Sequence, residues 1–390
     1  MTRTATRAER HALIYSGRFG DVTFGEDHPF KVLRYRLTYE LMEELGLLRA
    51  PGVSVVEAPV IAEERLATFH RPAYLARLEE FGRSDVPRAD FRFGLGDVEN
   101  PVFPGMYDWA RLGCGGTVEA VRQIVDLGCR TAFNMAGGCH HAQPARASGF
   151  SYLNDAVVGI LEVVRRGLRV AYVDLDGHHG DAVQQAFYDS DRVLTVSVHE
   201  NGRDFYPHTG FVDEMGKGPG FGFAVNIPLL RHADDLVFEQ AFTRGVLPVL
   251  EAFGPDVLIT QMGVDGLRTD PLTRLEYTTR FVEFSARAFL DTGLPWVVLG
   301  GGGYDKVNVA RCWALLWGTI LGRDLPDRLP PNFTRRLAEL SRPATMLRDR
   351  PHLAQPNDFA RAQQDLDRVL GFLERQLLPL HGIRPGRAGR

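Results

Sequence analysis

The feature that most limits how this chain can fold is a set of short runs that are apolar at nearly every position. Val170–Val173, Val257–Ile259 and Trp296–Leu299 show no polar alternation. A strand of that kind is buried on both faces, which is the condition of a parallel sheet covered by helices on either side. The surrounding pattern agrees. "HALIYS" reads as a strand, followed by a helix in "KVLRYRLTYELMEELGLL" and then an irregular stretch. Helix "GTVEAVRQIVDLG", strand "TAFNMA", helix "YLNDAVVGILEVVRRG" and strand "RVAYVDLD" come next. Helix "GDAVQQAFYD" leads to strands "RVLTVSVH" and "AVNIPL", helix "DLVFEQAFTRGVLPVLEAFG" and strand "DVLITQMG". Helix "LEYTTRFVEFSARAFLDTG", strand "PWVVLGGGG" and helix "NVARCWALLWGTILG" complete the core. Strands alternating with helices predict an α/β fold built on a mostly parallel sheet. No linker or repeat divides the chain, so one domain over 1–390 is expected. The Arg- and Pro-rich part from about 325 to 390 is expected to be a helical or peripheral extension, loosely attached to the core.

In open parallel sheets, ligands bind beyond the carboxyl ends of the strands. Four strand ends here run into reactive groups. "TAFNMA" leads to His140 and His141, and "RVAYVDLD" leads through Asp174 and Asp176 to His178, His179 and Asp181. "DVLITQMG" leads to Asp265, and "PWVVL" leads through four glycines to Tyr304. A parallel sheet places all four clusters on one edge. Each also has a plain alternative: Asp176 as a helix cap, His140 and His141 as core or loop imidazoles, Asp265 as a turn residue. The "GGGGY" run could cradle a phosphate, but it has neither the GKS/T ending nor the GxGxxG spacing.

Composition removes several function classes. With 390 residues, 44% hydrophobic and 24% charged, the chain is expected to be soluble and globular. A net charge of -4 gives no general reason for nucleic acid or an anionic membrane as partner. Cys114, Cys129, Cys139 and Cys312 form neither a CxxC pair nor a disulfide framework, which suits the cytoplasm. The Arg-rich start has no apolar region behind it and is not expected to act as a secretory signal.

Three carboxylates and two imidazoles at one strand end repel one another and resist burial, and a divalent cation would resolve both problems. Asp176 and His178, two apart in extended chain, point the same way, and Asp265 completes a three-ligand site with open positions. Asp174 and Asp181 remain to orient imidazoles, and His140 and His141 are available for them. The Tyr304 hydroxyl can donate to a developing oxyanion. This constellation predicts hydrolysis at a carbonyl or amidine centre.

The motifs "GGCHHAQPARASGFSYLND", "YVDLDGHHGDAVQQAFY", "TVSVHENGRDFYPHTG", "TQMGVDGLRTDPLTRL" and "LGGGGYDKVNVARCW", in this order, resemble the zinc-dependent histone deacetylase family. The likeness is class I-like and spans about residues 11 to 320. "GDVENPVFPGM", "DPLTRL" and "GGGGYDK" look most like bacterial acetoin-utilisation-type deacetylases. The resemblance implies an arginase–deacetylase fold with a central sheet of about eight strands. It implies Asp176, His178 and Asp265 as ligands of zinc (ferrous iron being the alternative), and His140 and His141 as catalytic histidines paired with Asp174 and Asp181. Tyr304 would polarise the acyl carbonyl. Gly149, Phe150 and Phe205 would wall an acyl-lysine tunnel, with Leu272 at its rim and Glu99 holding substrate backbone amides. Arg34 would line a channel for the released acid. A structural potassium or sodium ion would bind Asp174, Asp176, His178, Ser197 and the Val198 carbonyl.

Two departures matter: Glu99 stands where the family usually has Asp, and His208 stands where Gly is usual. The implied reaction removes acetyl or short acyl groups from lysine in proteins or peptides. An acyl-CoA synthetase is one partner it suggests, and the oligomeric state stays open. An acetylpolyamine amidohydrolase shares the chemistry. An arginase-like binuclear manganese enzyme shares the fold but needs further acids beside Asp265, and Asp270 is too far along the chain to supply them.

Overall fold

The computed structural model describes residues 9–383. Eight strands form one sheet: β1 His11–Tyr15, β2 Val53–Glu57, β3 Thr131–Asn134, β4 Val170–Asp174, β5 Val193–Glu200, β6 Ala224–Leu229, β7 Val257–Gln261 and β8 Trp296–Leu299. Their order is β2-β1-β3-β8-β7-β4-β5-β6, and every pairing is parallel. Strands β3, β4, β7 and β8 are buried at every position, as their unbroken apolar character requires.

The helices are α1 Leu33–Glu44, α2 Glu63–Leu66, α3 Pro72–Gly82, α4 Met106–Val125, α5 Asp155–Val164, α6 Asp181–Ala186, α7 Asp235–Ala241, α8 Leu247–Phe253, α9 Arg280–Asp291, α10 Lys306–Ile320, α11 Pro331–Glu339 and α12 Pro356–Phe372. Helix α4 packs on β1, β3 and β8 and against α3 and α5, while α10 lies between α1 and α9. Helix α9 meets α7, and α7 meets α12, which lies on β6. These two groups cover a sheet that has no polar face to offer water. Among the described residues, no helix is long and apolar enough to cross a membrane. No disulfide links the four cysteines.

The topology aligns the strand ends. Asn134 pairs with Leu299, Leu299 with Gln261, and Gln261 with Asp174, across four adjacent strands. The chain therefore leaves β3, β8, β7 and β4 at one level, and the segments that follow converge. Between β5 and β6 there is no crossover α-helix. A parallel pair still needs a connection that returns along the strand, and residues 201–223 make it, passing the carboxyl edge on the way.

Three expectations are corrected. The irregular stretch before α4 contains edge strand β2 and helices α2 and α3. The single helix expected over 235–254 is interrupted by a π-helical turn at Phe242–Val246. The C-terminal part is not loose as far as residue 383: Phe333, Leu337, Leu366, Leu370, Leu373 and Leu377 are buried in the core. Its last residues, 384–390, lie outside the described range.

Candidate active site

Behind β3, the loop carrying the tandem histidines is fixed from α5. The Asp155 carboxylate accepts the N–H groups of Gly138 (3.0 Å) and Cys139 (2.8 Å). Asn154 caps α5 by accepting Val157 N–H at 3.0 Å. Its amide nitrogen donates to the carbonyls of His140 (3.2 Å) and Ala142 (3.1 Å). The two imidazoles lie side by side, with centroids 4.0 Å apart. Each has its own carboxylate: His140 Nδ1 meets Asp174 Oδ2 at 2.8 Å, and His141 Nδ1 meets Asp181 Oδ1 at 2.7 Å. Such a bond fixes the tautomer and leaves Nε2 for chemistry.

Asp176, His178 and Asp265 are 2%, 7% and 0% exposed, and each offers a donor atom within 4.8 Å of the others. His178 Nδ1 lies 2.8 Å from Asp265 Oδ2 and 3.1 Å from Asp176 Oδ1. Backbone and amide donors take the outward oxygens. Gly302 N–H (2.7 Å) and Gln261 Nε2 (2.6 Å) reach Asp176 Oδ2, and Gly177 N–H reaches Asp265 Oδ1 at 2.7 Å. Gly302 can be nothing larger, since a Cβ there would meet both ligand carboxylates at 2.6 Å. The "GGGGY" run is thus a close approach of backbone to the ligands and not a phosphate cradle.

The charges call for a cation. Burial and the neighbouring Asp176 charge push Asp265 up to about 6. Burial works against the His178 cation, yet its bonds to Asp176 and Asp265 outweigh it and lift the pKa to about 10. Two carboxylates crowded on one buried imidazole call for positive charge, which a divalent ion held by the same three donors would supply. The residues fit a metal. In the histidine pair, burial opposes the His140 cation but Asp174 and Asp176 raise it to about 9. Burial and the charge of His140 hold His141 down to about 4. A charge on one imidazole disfavours a charge on its neighbour, so the two titrate as a pair.

Around this centre the other expected residues fall as follows. The Tyr304 ring stands 5.5 Å from Phe150 and 6.3 Å from His178. Burial and the Asp265 charge hold its hydroxyl protonated. Phe150 follows Gly149, where a Cβ would meet the His141 ring at 2.4 Å. Phe205 stacks on His178 at 4.7 Å. Leu272 is half-buried, and Glu99 is exposed with no side-chain hydrogen bond among the described residues. Arg34 is buried, donates to the Gly303 carbonyl at 3.0 Å, and leaves Nε without a partner. Ser197 pairs with Asp174 in the β4–β5 register, next to Val198. His208 is turned back on its own loop, 3.2 Å from the Gly202 carbonyl.

Four groups escape the sequence reading. Asp270 accepts Tyr304 N–H (2.7 Å) and Leu272 N–H (3.0 Å), holding both beside the site. That carboxylate is spent on backbone, so the binuclear alternative lacks its extra acid. His28 packs edge-on to Phe150 at 4.6 Å and reaches the Glu99 carbonyl at 3.1 Å. Tyr206, next to Phe205, lies 5.0 Å from the His141 ring. Gln261, a strand-end residue, steadies Asp176. Only the polar Gln261 at the end of an apolar strand carried a signal.

Comparison with known proteins gives the same answer. A histone deacetylase domain is matched over residues 28–320. Histone deacetylase 9 of Arabidopsis thaliana is 38% identical over 327 residues, covering 83% of this chain and 76% of that one. The acetoin utilization protein AcuC of Bacillus subtilis is 37% identical over 328 residues, covering 82% and 84%. The crystal structure of an HDAC homologue complexed with SAHA superposes with a TM-score of 0.84 at 30% identity, covering 93% of this chain and 99% of that one. An HDAC homologue from Aquifex aeolicus gives 0.81 at 30% identity, covering 91% and 100%. The arginase–deacetylase fold is therefore shared in full, and the chain belongs to the histone deacetylase family of hydrolases.

Proposed function

We propose that this protein is a zinc-dependent deacylase that removes acetyl or other short acyl groups from lysine side chains in proteins or peptides. The observation that carries the reading is the pair of His–Asp dyads beside the Asp176–His178–Asp265 cluster, with the Tyr304 hydroxyl held protonated nearby. A divalent cation held by those three residues would polarise the acyl carbonyl and acidify a water beside it. His141, kept neutral and oriented by Asp181, takes the proton of the attacking water at Nε2. Tyr304 donates to the oxygen that gains charge. His140, protonated and bound to Asp174, returns a proton to the departing amine. Zinc is favoured over ferrous iron as the resident ion because the same nitrogen and oxygen donors bind it more tightly. A potassium or sodium ion at Asp174, Asp176, His178, Ser197 and the Val198 carbonyl is part of the same reading. So is Arg34, whose unpartnered Nε suits a released carboxylate.

Two residues favour peptide over polyamine. Leu272 at the rim has no charge for a distal ammonium, and Glu99 has a free carboxylate for backbone N–H groups. A metabolic enzyme such as an acyl-CoA synthetase, in a cytoplasmic setting, fits better than a histone or any nucleic-acid-bound partner. Purified protein assayed on acetyl-lysine peptides and on acetylated spermidine and putrescine should show the higher kcat/KM on peptides. The opposite ranking would make the chain an acetylpolyamine amidohydrolase.

A further inference from the structure

The two loops that flank the candidate acyl-lysine slot are each held in a strained backbone. Phe150 has φ +64° and His208 has φ +66°, left-handed conformations that side chains other than glycine rarely adopt. Such residues persist only where their surroundings fix them. On the first loop, Ser148 and Ser151 exchange N–H···O bonds at 3.1 and 2.8 Å, and Ala147 N–H reaches the Phe93 carbonyl at 2.9 Å. On the second, His208 N–H bonds the Phe205 carbonyl at 3.0 Å, and Thr209 meets His179 at 2.8 Å. One contact spans the two: Ser148 Oγ and Tyr206 Oη are 2.6 Å apart. Among the described residues, no other hydrogen bond joins 146–151 to 201–209.

We propose that this hydroxyl pair is a clasp that fixes the width of the slot and so excludes branched acyl groups. The inference rests on the deacylase reading for its substrate, though not for the contact itself. Direction follows from packing. The first loop cannot move inward, because at Gly149 the backbone already lies so close that a Cβ would meet His141 at 2.4 Å. The second cannot either, with Phe205 stacked on His178 and Tyr206 edge-on to His141. When the clasp is released, the walls can only part. A straight acyl chain gains little from the extra width, whereas a branched one gains room for its second methyl. Both hydroxyls are half-buried, so the bond carries the modest weight of a partly solvated one.

The test compares Tyr206→Phe, Ser148→Ala and the double variant on isobutyryl-lysine and acetyl-lysine peptides. Each single variant should raise the isobutyryl-to-acetyl ratio of kcat/KM by about two- to tenfold, and the double variant no further than the larger single. An unchanged ratio, or single effects that multiply, overturns the clasp. Amide hydrogen exchange on the metal-free protein reads the contact without turnover. Either single variant should speed exchange in both 146–151 and 203–209, and acceleration confined to the mutated segment overturns the proposal. Should the unaltered protein hydrolyse no acyl-lysine at all, it is the deacylase reading that fails, and the exchange result still decides the clasp.

Discussion

His70 should couple acid stability to the tandem histidines. Its side chain is 1% exposed, and Nε2 accepts the Asn154 N–H at 3.0 Å. Asn154 in turn secures the His140 and Ala142 carbonyls and caps α5. An accepting Nε2 needs a neutral ring with its proton on Nδ1, which makes no well-formed bond although the Gln143 and Pro144 carbonyls lie on its side. Burial pushes the pKa from 6.5 down to about 4. The unfolded chain takes up this proton below pH 6.5, and the folded protein only near 4. Stability from the neutral ring is therefore complete above 6.5 and is lost as the pH falls toward 4. At about 1.4 kcal/mol per pH unit, the loss comes to about 3 kcal/mol.

Urea unfolding of the parent and of His70→Gln between about pH 7 and about pH 4 measures that loss directly. Glutamine offers an acceptor to Asn154 but does not titrate. The variant should be less stable near neutrality, and its stability should fall about 3 kcal/mol less across the acid range. Other titrating groups act in both proteins and cancel in the difference. Parallel acid slopes would refute the reasoning, because His70 would then be protonated alike in folded and unfolded chains.

Three further outcomes are expected. Asp176→Asn should lose tightly held metal on purification, since three ligands leave none to spare; metal analysis checks it, and near-stoichiometric retained metal would contradict the assignment. Tyr304→Phe should still bind a hydroxamate-type chelator while kcat falls about a hundredfold or more, as for one lost oxyanion donor; an unchanged kcat would make Tyr304 a packing residue. Leu370→Ala, at 1% exposure on α12, should cost about 2–5 kcal/mol of stability in denaturant unfolding, against near-zero for a loose tail.

Much of the architecture was legible because burial on both faces leaves unbroken apolar runs, as in Val170–Val173 and Trp296–Leu299. The polar residues placed at their ends were the residues of the site. Strand β2 was not legible: as an edge strand it is half-exposed, so Val53–Glu57 mixes apolar and polar residues without clear alternation. The packing of α12 into the core was missed because Arg and Pro dominate the tail, although Leu366, Val369 and Leu370 keep helical spacing. Tyr206 was missed for another reason. In a loop no periodicity tells which of two adjacent rings faces a neighbour, and both Phe205 and Tyr206 turn out to pack on site imidazoles. Asp270 looked idle because its partners are backbone N–H groups, which no side-chain pattern announces.

The site is thus fixed with two degrees of firmness. The metal-site carboxylates and the histidine loop are anchored by buried donors from several elements: Asp176 by Gly302 and Gln261, Asp265 by Gly177, and the loop by Asp155, which accepts from Gly138 and Cys139. Losing one such bond strands a buried charge or donor, and the cost is large. The slot walls instead stand on loops, two of them strained, joined to each other among the described residues by a single hydrogen bond that solvent can partly replace. Substitutions in the walls should therefore redirect which acyl group enters while leaving metal affinity nearly unchanged. Substitutions at the strand ends should abolish metal binding and turnover together.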